Sequence, residues 1–188
     1  MQLRIGVIGQ SSSGDLPMAP GLLEKAEEVG VWIALGGAVL LSGGRCGVME
    51  AACKGAKAHG GTTVGIMPGV GTEDCNPYVD IPITTGLGLD TRSTVLVHSC
   101  DVLIMIGGGN GTLTELSLAY TSGRPVVALE GTGGWADRIK AIAYEGKYLD
   151  ERRSAPILWA ETPKEAVEKA FAAIGVALPK VGDVEKAG

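Results

Sequence analysis

The chain has 188 residues, and 30 of them are glycine, 16% of the total and roughly twice the usual share of about 7%. Hydrophobic residues make up 45% and aromatics 4%, with nine prolines and no three-residue glycine period, which excludes collagen and low-complexity disorder. The formal net charge of −5 leaves no global basic field, so duplex nucleic acid is excluded as the main partner while local anion binding stays open.

In chain order, an apolar strand over 3–8 runs into the glycine–serine stretch 9–14, and a helix follows over 20–35. A strand at 39–41, a glycine loop at 43–47 and a helix at 47–59 repeat the pattern. Strands at 62–66 and 79–83 precede a helix at 90–99. A strand at 102–106 then meets the loop 107–112 and a helix at 112–122, and strands at 126–129 and 157–159 precede helices at 135–145 and 163–174. The last helix is the best marked, with Thr162 and Glu165 as a capping box, Pro163 at its first position and Gly175 beyond its end. The strand runs are β-branched-rich and non-alternating, as strands buried on both faces are. Strand–helix alternation predicts an α/β fold, a mostly parallel sheet with helices on both faces, in one domain over 1–178 with a loose tail at 179–188.

The four cysteines, Cys46, Cys53, Cys75 and Cys100, show no CxxC spacing, and the only histidines are His59 and His98, so no metal site is expected. Met1 leads straight into the first strand without a signal-type apolar region. The longest uncharged run, 29–44, is broken by Gly36-Gly37 and falls short of a membrane span. These features predict a reduced, cytoplasmic protein with no membrane partner.

Loops after parallel strands collect at one sheet edge, where ligands bind in the crevice at which strand order reverses. Three glycine-rich stretches fall there: 9–14 with Gly9, Ser11 and Ser12; 43–47 with Gly43, Gly44 and Arg45; and 107–112 with Gly107, Gly108, Gly109, Asn110, Gly111 and Thr112. Each precedes a helix, whose free N–H groups and positive dipole end suit an anion, most often phosphate. Singly, each loop also reads as a tight strand-to-helix turn. None matches GxxxxGK[ST] or GxGxxG, because Thr112 stands where the third glycine belongs.

Glu115 has two readings. With Thr112 it makes a capping box, and beside a phosphate loop it is an electrostatically awkward carboxylate of the kind found at functional sites. Arg92 is either a solvated first-turn residue behind an Asp90 N-cap or, since its charge opposes the helix dipole, one with a specific partner. Arg45 is placed to meet an anion or a sheet-edge carboxylate. Cys46 reads as a small packed residue, with no neighbouring histidine to activate it.

The run Gly107-Gly108-Gly109-Asn110-Gly111-Thr112-Leu113-Thr114-Glu115 resembles the PGGxGTxxE signature of the LOG-like superfamily, formerly labelled lysine decarboxylases, and the resemblance extends over about residues 3–175. Residues 42–52 are similar to that superfamily's second loop and helix. The segments 65–69, 76–80 and 85–88 resemble its molybdenum-cofactor carrier branch. The resemblance implies a Rossmann-like three-layer fold, a homodimer or dimer of dimers, and a phosphate held by the signature glycines and Thr112. It also implies no required cofactor, with a molybdenum cofactor or a nucleoside monophosphate as ligand. In the cytokinin-activating enzymes of the superfamily, the arginine matching Arg92 and the glutamate matching Glu115 are catalytic, releasing a base and ribose 5-phosphate. Two departures stand out: Gly107 replaces the signature proline, and Ser93 replaces the lysine of the enzymes' Arg-Lys pair. Losing that lysine removes a cation and favours binding over hydrolysis. A decarboxylase gains no support, because all nine lysines lie away from the glycine loops.

Overall fold

The computed structural model describes residues 2–12 and 17–179. Ser13 and Gly14 of the first loop, and all but Pro179 of the expected tail, lie outside the described residues. The elements run β1 Arg4–Gly9, α1 Leu22–Leu35, β2 Val39–Ser42, α2 Val48–Ala58, β3 Thr63–Met67, β4 Ile81–Thr84, α3 Gly88–Ser99, β5 Val102–Ile106, α4 Asn110–Thr121, β6 Val126–Leu129, α5 Gly134–Arg138, β7 Ile157–Ala160 and α6 Pro163–Ala173.

The strands form one seven-stranded sheet in the order β4-β3-β2-β1-β5-β6-β7, every pair parallel. This is the α/β, Rossmann-like arrangement expected from the alternating runs. The interior strand β5 is buried throughout, and its side chains divide by the two-residue period. Val102, Ile104 and Ile106 join the core that α1, α2 and α6 cover, whereas Leu103 and Met105 join the core under α3, α4 and α5. Two glycines set the first layer. Added Cβ atoms at Gly30 and Gly55 would overlap the carbonyls of Ala52 and Glu27, so α1 and α2 cross with their backbones nearly touching.

The expected capping box at α6 is present: Thr162 Oγ1 accepts from the Glu165 N–H at 3.2 Å, and Glu165 Oε2 accepts from the Glu161 N–H at 2.8 Å. The helix expected at 135–145 is shorter. It ends at Arg138, one 3-10 turn covers Ile139–Ala141, and Tyr144 then pairs antiparallel with Tyr148. Glu145 (φ 49°) and Gly146 (φ 73°) turn the chain back in the left-handed region, which no helix continues through. At the other margin β4 is an edge strand with all four residues exposed, and its second residue, Pro82, has no N–H to donate. Among the described residues, no helix is long and apolar enough to cross a membrane.

The chain builds outward from β1 to β4, and α3 carries it back to place β5 on β1's other side. Strand order therefore reverses between β1 and β5, whose last residues Gly9 and Ile106 lie side by side. A crevice opens above that pair.

Candidate functional site

The β5–α4 turn is made by Gly107 (φ 60°) and Gly108 (φ 99°). Proline is fixed near φ −65°, so the residue that departs from the signature sits in a conformation that the signature's own residue cannot take. Gly109 then caps α4 with no side-chain hydrogen bond, so the helix presents its first backbone N–H groups without a side-chain acceptor. The helix starts at Asn110, which places Thr112 in its first turn. The capping-box reading of Thr112 and Glu115 is therefore corrected: Thr112 is not the N-cap, and Glu115 points elsewhere.

Glu115 is 8% exposed, and its Oε1 accepts from Ser93 Oγ at 3.1 Å. Arg92 Nη1 stands 3.8 Å from the same oxygen, an ion pair without a hydrogen bond. The solvated reading of Arg92 is likewise corrected. The helix begins two residues earlier than expected, at Gly88, and Arg92 and Ser93 lie one turn before the buried Leu96 and Val97 on the same face, so Arg92 turns inward, to 5% exposure. Its Nε and Nη1 are buried with no hydrogen-bond partner. Burial lowers the guanidinium's pKa against the pull of Glu115, with Arg45 adding to the lowering, while burial raises that of Glu115 against the pull of Arg92 and Ser93. Arginine keeps its proton in proteins, so a charged donor with idle N–H groups faces this site. Gly43 makes room for it, since a Cβ there would overlap Arg92 Nη1.

These groups line a cleft of about 300 Å³ above the β1 end. Of the residues expected at the site, Gly9, Ser11, Gly43, Arg45, Arg92, Gly109, Gly111, Thr112 and Glu115 line it together. Five others are not in its lining: Ser12, Gly44, Gly107, Gly108 and Asn110. Ser12 borders a second groove of about 420 Å³ between α1 and α2, shared with Glu24, Glu27, Glu50 and Lys54. Gly44 (φ 70°) packs behind the wall against Met67 and Gly65. The cleft also holds Gln10, Met49, Leu89, Asp90, Ser93 and Thr114, which the sequence reading did not select for the site. For Ser93 the signal was available, because it occupies the position of the missing lysine. Cys46 lies outside the lining, with its Sγ 3.2 Å from Ser11 Oγ. Burial pushes that thiol up, but hydrogen bonds from Ser11 and Ser12 outweigh it and leave it below its ordinary value.

Known proteins resemble this chain in sequence and fold. Residues 2–167 match the model of the SLOG cluster4 family. The molybdenum cofactor binding protein of the phototrophic bacterium Rippkaea orientalis superimposes with a TM-score of 0.77 at 35% identity, over 93% of this chain and 98% of that one. The molybdenum cofactor carrier protein of Chlamydomonas reinhardtii gives 0.75 at 37% identity, over 92% and 99%. A cytokinin riboside 5′-monophosphate phosphoribohydrolase of Mycobacterium marinum is 32% identical over 151 residues, 72% of this chain and 80% of the relative.

Proposed function

The chain belongs to the SLOG cluster4 family, and from that membership and the cleft we propose that it is a binding protein for a small phosphate-bearing ligand, nucleotide-like or pterin, of the kind molybdenum-cofactor carriers take. The buried Arg92, with two guanidinium nitrogens lacking hydrogen-bond partners at the cleft wall, carries the reading. A buried charge whose N–H groups lack hydrogen bonds is costly to keep, and an incoming anion supplies them. The phosphate sits on the N–H groups of Gly109, Gly111 and Thr112, with Arg45 and Arg92 as cations and the Gly9–Ser11 and Gly43 backbone as floor. Asp90 and Glu115 then accept from hydroxyl or ring N–H donors farther along the ligand, which suits a sugar or a pterin. No further cofactor takes part.

A second copy of the chain completes the assembly. Leu96 and Val97 of α3 are buried in their own core and leave nothing apolar for a partner at those two positions. The apolar surface left for a partner precedes them: Ile81, Ile83, Leu87 and Leu89, with Val70 nearby. A monomer in light scattering at micromolar concentration would refute this.

The ligand is tested by purifying the protein from a molybdenum-competent host, measuring bound metal and oxidised-pterin fluorescence, and titrating AMP and molybdenum cofactor by calorimetry. Consistent absence of bound material, with no binding of either added ligand, ends the reading. A second reading rests on the juxtaposition of Arg92 and Glu115 at 3.8 Å in the cleft. It is hydrolysis of a nucleoside 5′-monophosphate, in which water adds at the anomeric carbon, the base departs and a carboxylate handles the proton or the sugar's developing charge. Ribose 5-phosphate released from AMP, and lost in Glu115→Ala, supports hydrolysis; release that survives that substitution removes Glu115 from the chemistry.

A further inference from the structure

We infer that Thr132 on the β6–α5 connection and Gly134 and Asp137 of α5 are positioning residues that set the anion-binding geometry of the α4 N-terminus. The inference rests on the phosphate-binding reading above. Gly107 and Gly108 direct three backbone groups away from the cleft and into this connection. The Gly107 N–H donates to Thr132 Oγ1 at 2.9 Å, and that hydroxyl donates onward to the Leu129 carbonyl at 2.5 Å. The Gly107 carbonyl accepts from the Ala136 N–H at 3.1 Å, and the Gly108 carbonyl from the Trp135 N–H at 2.9 Å. Thr132 is fully buried, one of few buried polar side chains in the described chain.

The connection is itself held in shape. The two carboxylate oxygens of Asp137 accept from the Gly131 and Gly133 N–H groups, both at 2.8 Å. Lys25 Nζ on α1 donates to the Gly131 carbonyl at 3.2 Å. Gly134 (φ 57°) lies so close to the Gly108 carbonyl that a Cβ would overlap it.

The need for such a clamp follows from the turn it grips. Two successive glycines have the widest conformational freedom available to a backbone. The N–H groups of Gly109 to Thr112 bind an anion well only if the turn that aims them is fixed beforehand. None of the clamp side chains lines the cleft, so they act through Gly107 and Gly108.

The test compares Thr132→Val, Thr132→Ser and Asp137→Asn, with Val167→Ala as a control that opens a cavity in the opposite core, at α6. Calorimetry with AMP and mass-spectrometric hydrogen exchange are read on each. In Thr132→Val, exchange over 107–112 accelerates about tenfold and the Kd for AMP rises about tenfold. Thr132→Ser restores both to within about twofold, and Asp137→Asn moves both in the same direction by a smaller factor. Val167→Ala lowers Tm but leaves the Kd where it was. Unchanged exchange over 107–112 in Thr132→Val overturns the clamp, whether or not the protein binds AMP. Faster exchange with an unchanged Kd overturns its positioning role. Failure of the unaltered protein to bind any phosphorylated ligand defeats the ligand reading and the positioning role with it, while exchange still decides the clamp.

Discussion

Two arginine–carboxylate pairs stand at opposite ends of the same two strands. Arg4 opens β1 and Asp101 precedes β5, and this pair is complete: Nη2 to Oδ1 at 2.7 Å, Nε to Oδ2 at 3.2 Å, and the Arg4 backbone N–H to Oδ2 at 3.0 Å. Hydrogen bonding to Arg4 holds Asp101 below the ordinary carboxylate range. Arg92 and Glu115 lie by the strands' carboxyl ends, deeper than the first pair, yet 3.8 Å apart with two guanidinium nitrogens idle. There burial prevails and raises Glu115. The first pair is a finished staple, half in water. The second is a buried charge left incomplete, which lowers stability unless something else completes it. Completeness of geometry, more than residue type, separates the two pairs.

The largest expected effect tests that contrast directly. Replacing the buried pair by Arg92→Met and Glu115→Gln lowers affinity for AMP or molybdenum cofactor about a hundredfold, since charge-assisted hydrogen bonds contribute about 1.5–3 kcal/mol each. The same double variant gains about 1–3 kcal/mol in urea denaturation, because an incomplete buried pair disfavours folding. A loss of stability would make the two pairs alike. Next, Gly43→Ala displaces the Arg92 guanidinium and weakens binding about tenfold in calorimetry, with a smaller change in Tm.

The pH dependence sharpens the comparison, because the two carboxylates carry opposite signs. Glu115 binds its proton more tightly folded than unfolded, so its effect on stability worsens as pH rises from 4.5 through its folded value. Asp101 is the reverse: its stabilisation is complete above 3.8 and is lost as pH falls through its lower folded value. Urea midpoints over about pH 3–8 should show the unaltered protein falling relative to Glu115→Gln with rising pH, and rising relative to Asp101→Asn. The smallest effect is that of Asp101→Asn at neutral pH. It costs about 1 kcal/mol, as part-exposed pairs do, and leaves ligand affinity unchanged.

Much of this was legible in the sequence, for local reasons. Buried parallel strands write themselves as apolar runs, and Val102–Ile106 could be read directly. The three glycine loops announced the crevice because each interrupts such a run. What stayed hidden depends on long-range geometry. Arg92 and Glu115 stand on different helices, and only the packing of α3 against α4 brings the two side chains together. Thr132 is one hydroxyl between glycines, and nothing local marks it as the acceptor for Gly107. The helix over 135–145 had plausible residues throughout; it fails because Tyr144 and Tyr148 pair with each other across a left-handed turn.

Pro82 has a consequence for how the molecule can associate. An uncovered edge strand is an open template for another chain's backbone, the first step toward end-to-end fibrils. At β4 that template lacks a donor midway along its short length, while Ile81 and Ile83 remain exposed beside the gap. Addition of a further strand at this margin is thereby weakened, and the contact left to it is between side chains. A single missing hydrogen thus blunts the edge while the apolar side chains beside it stay exposed.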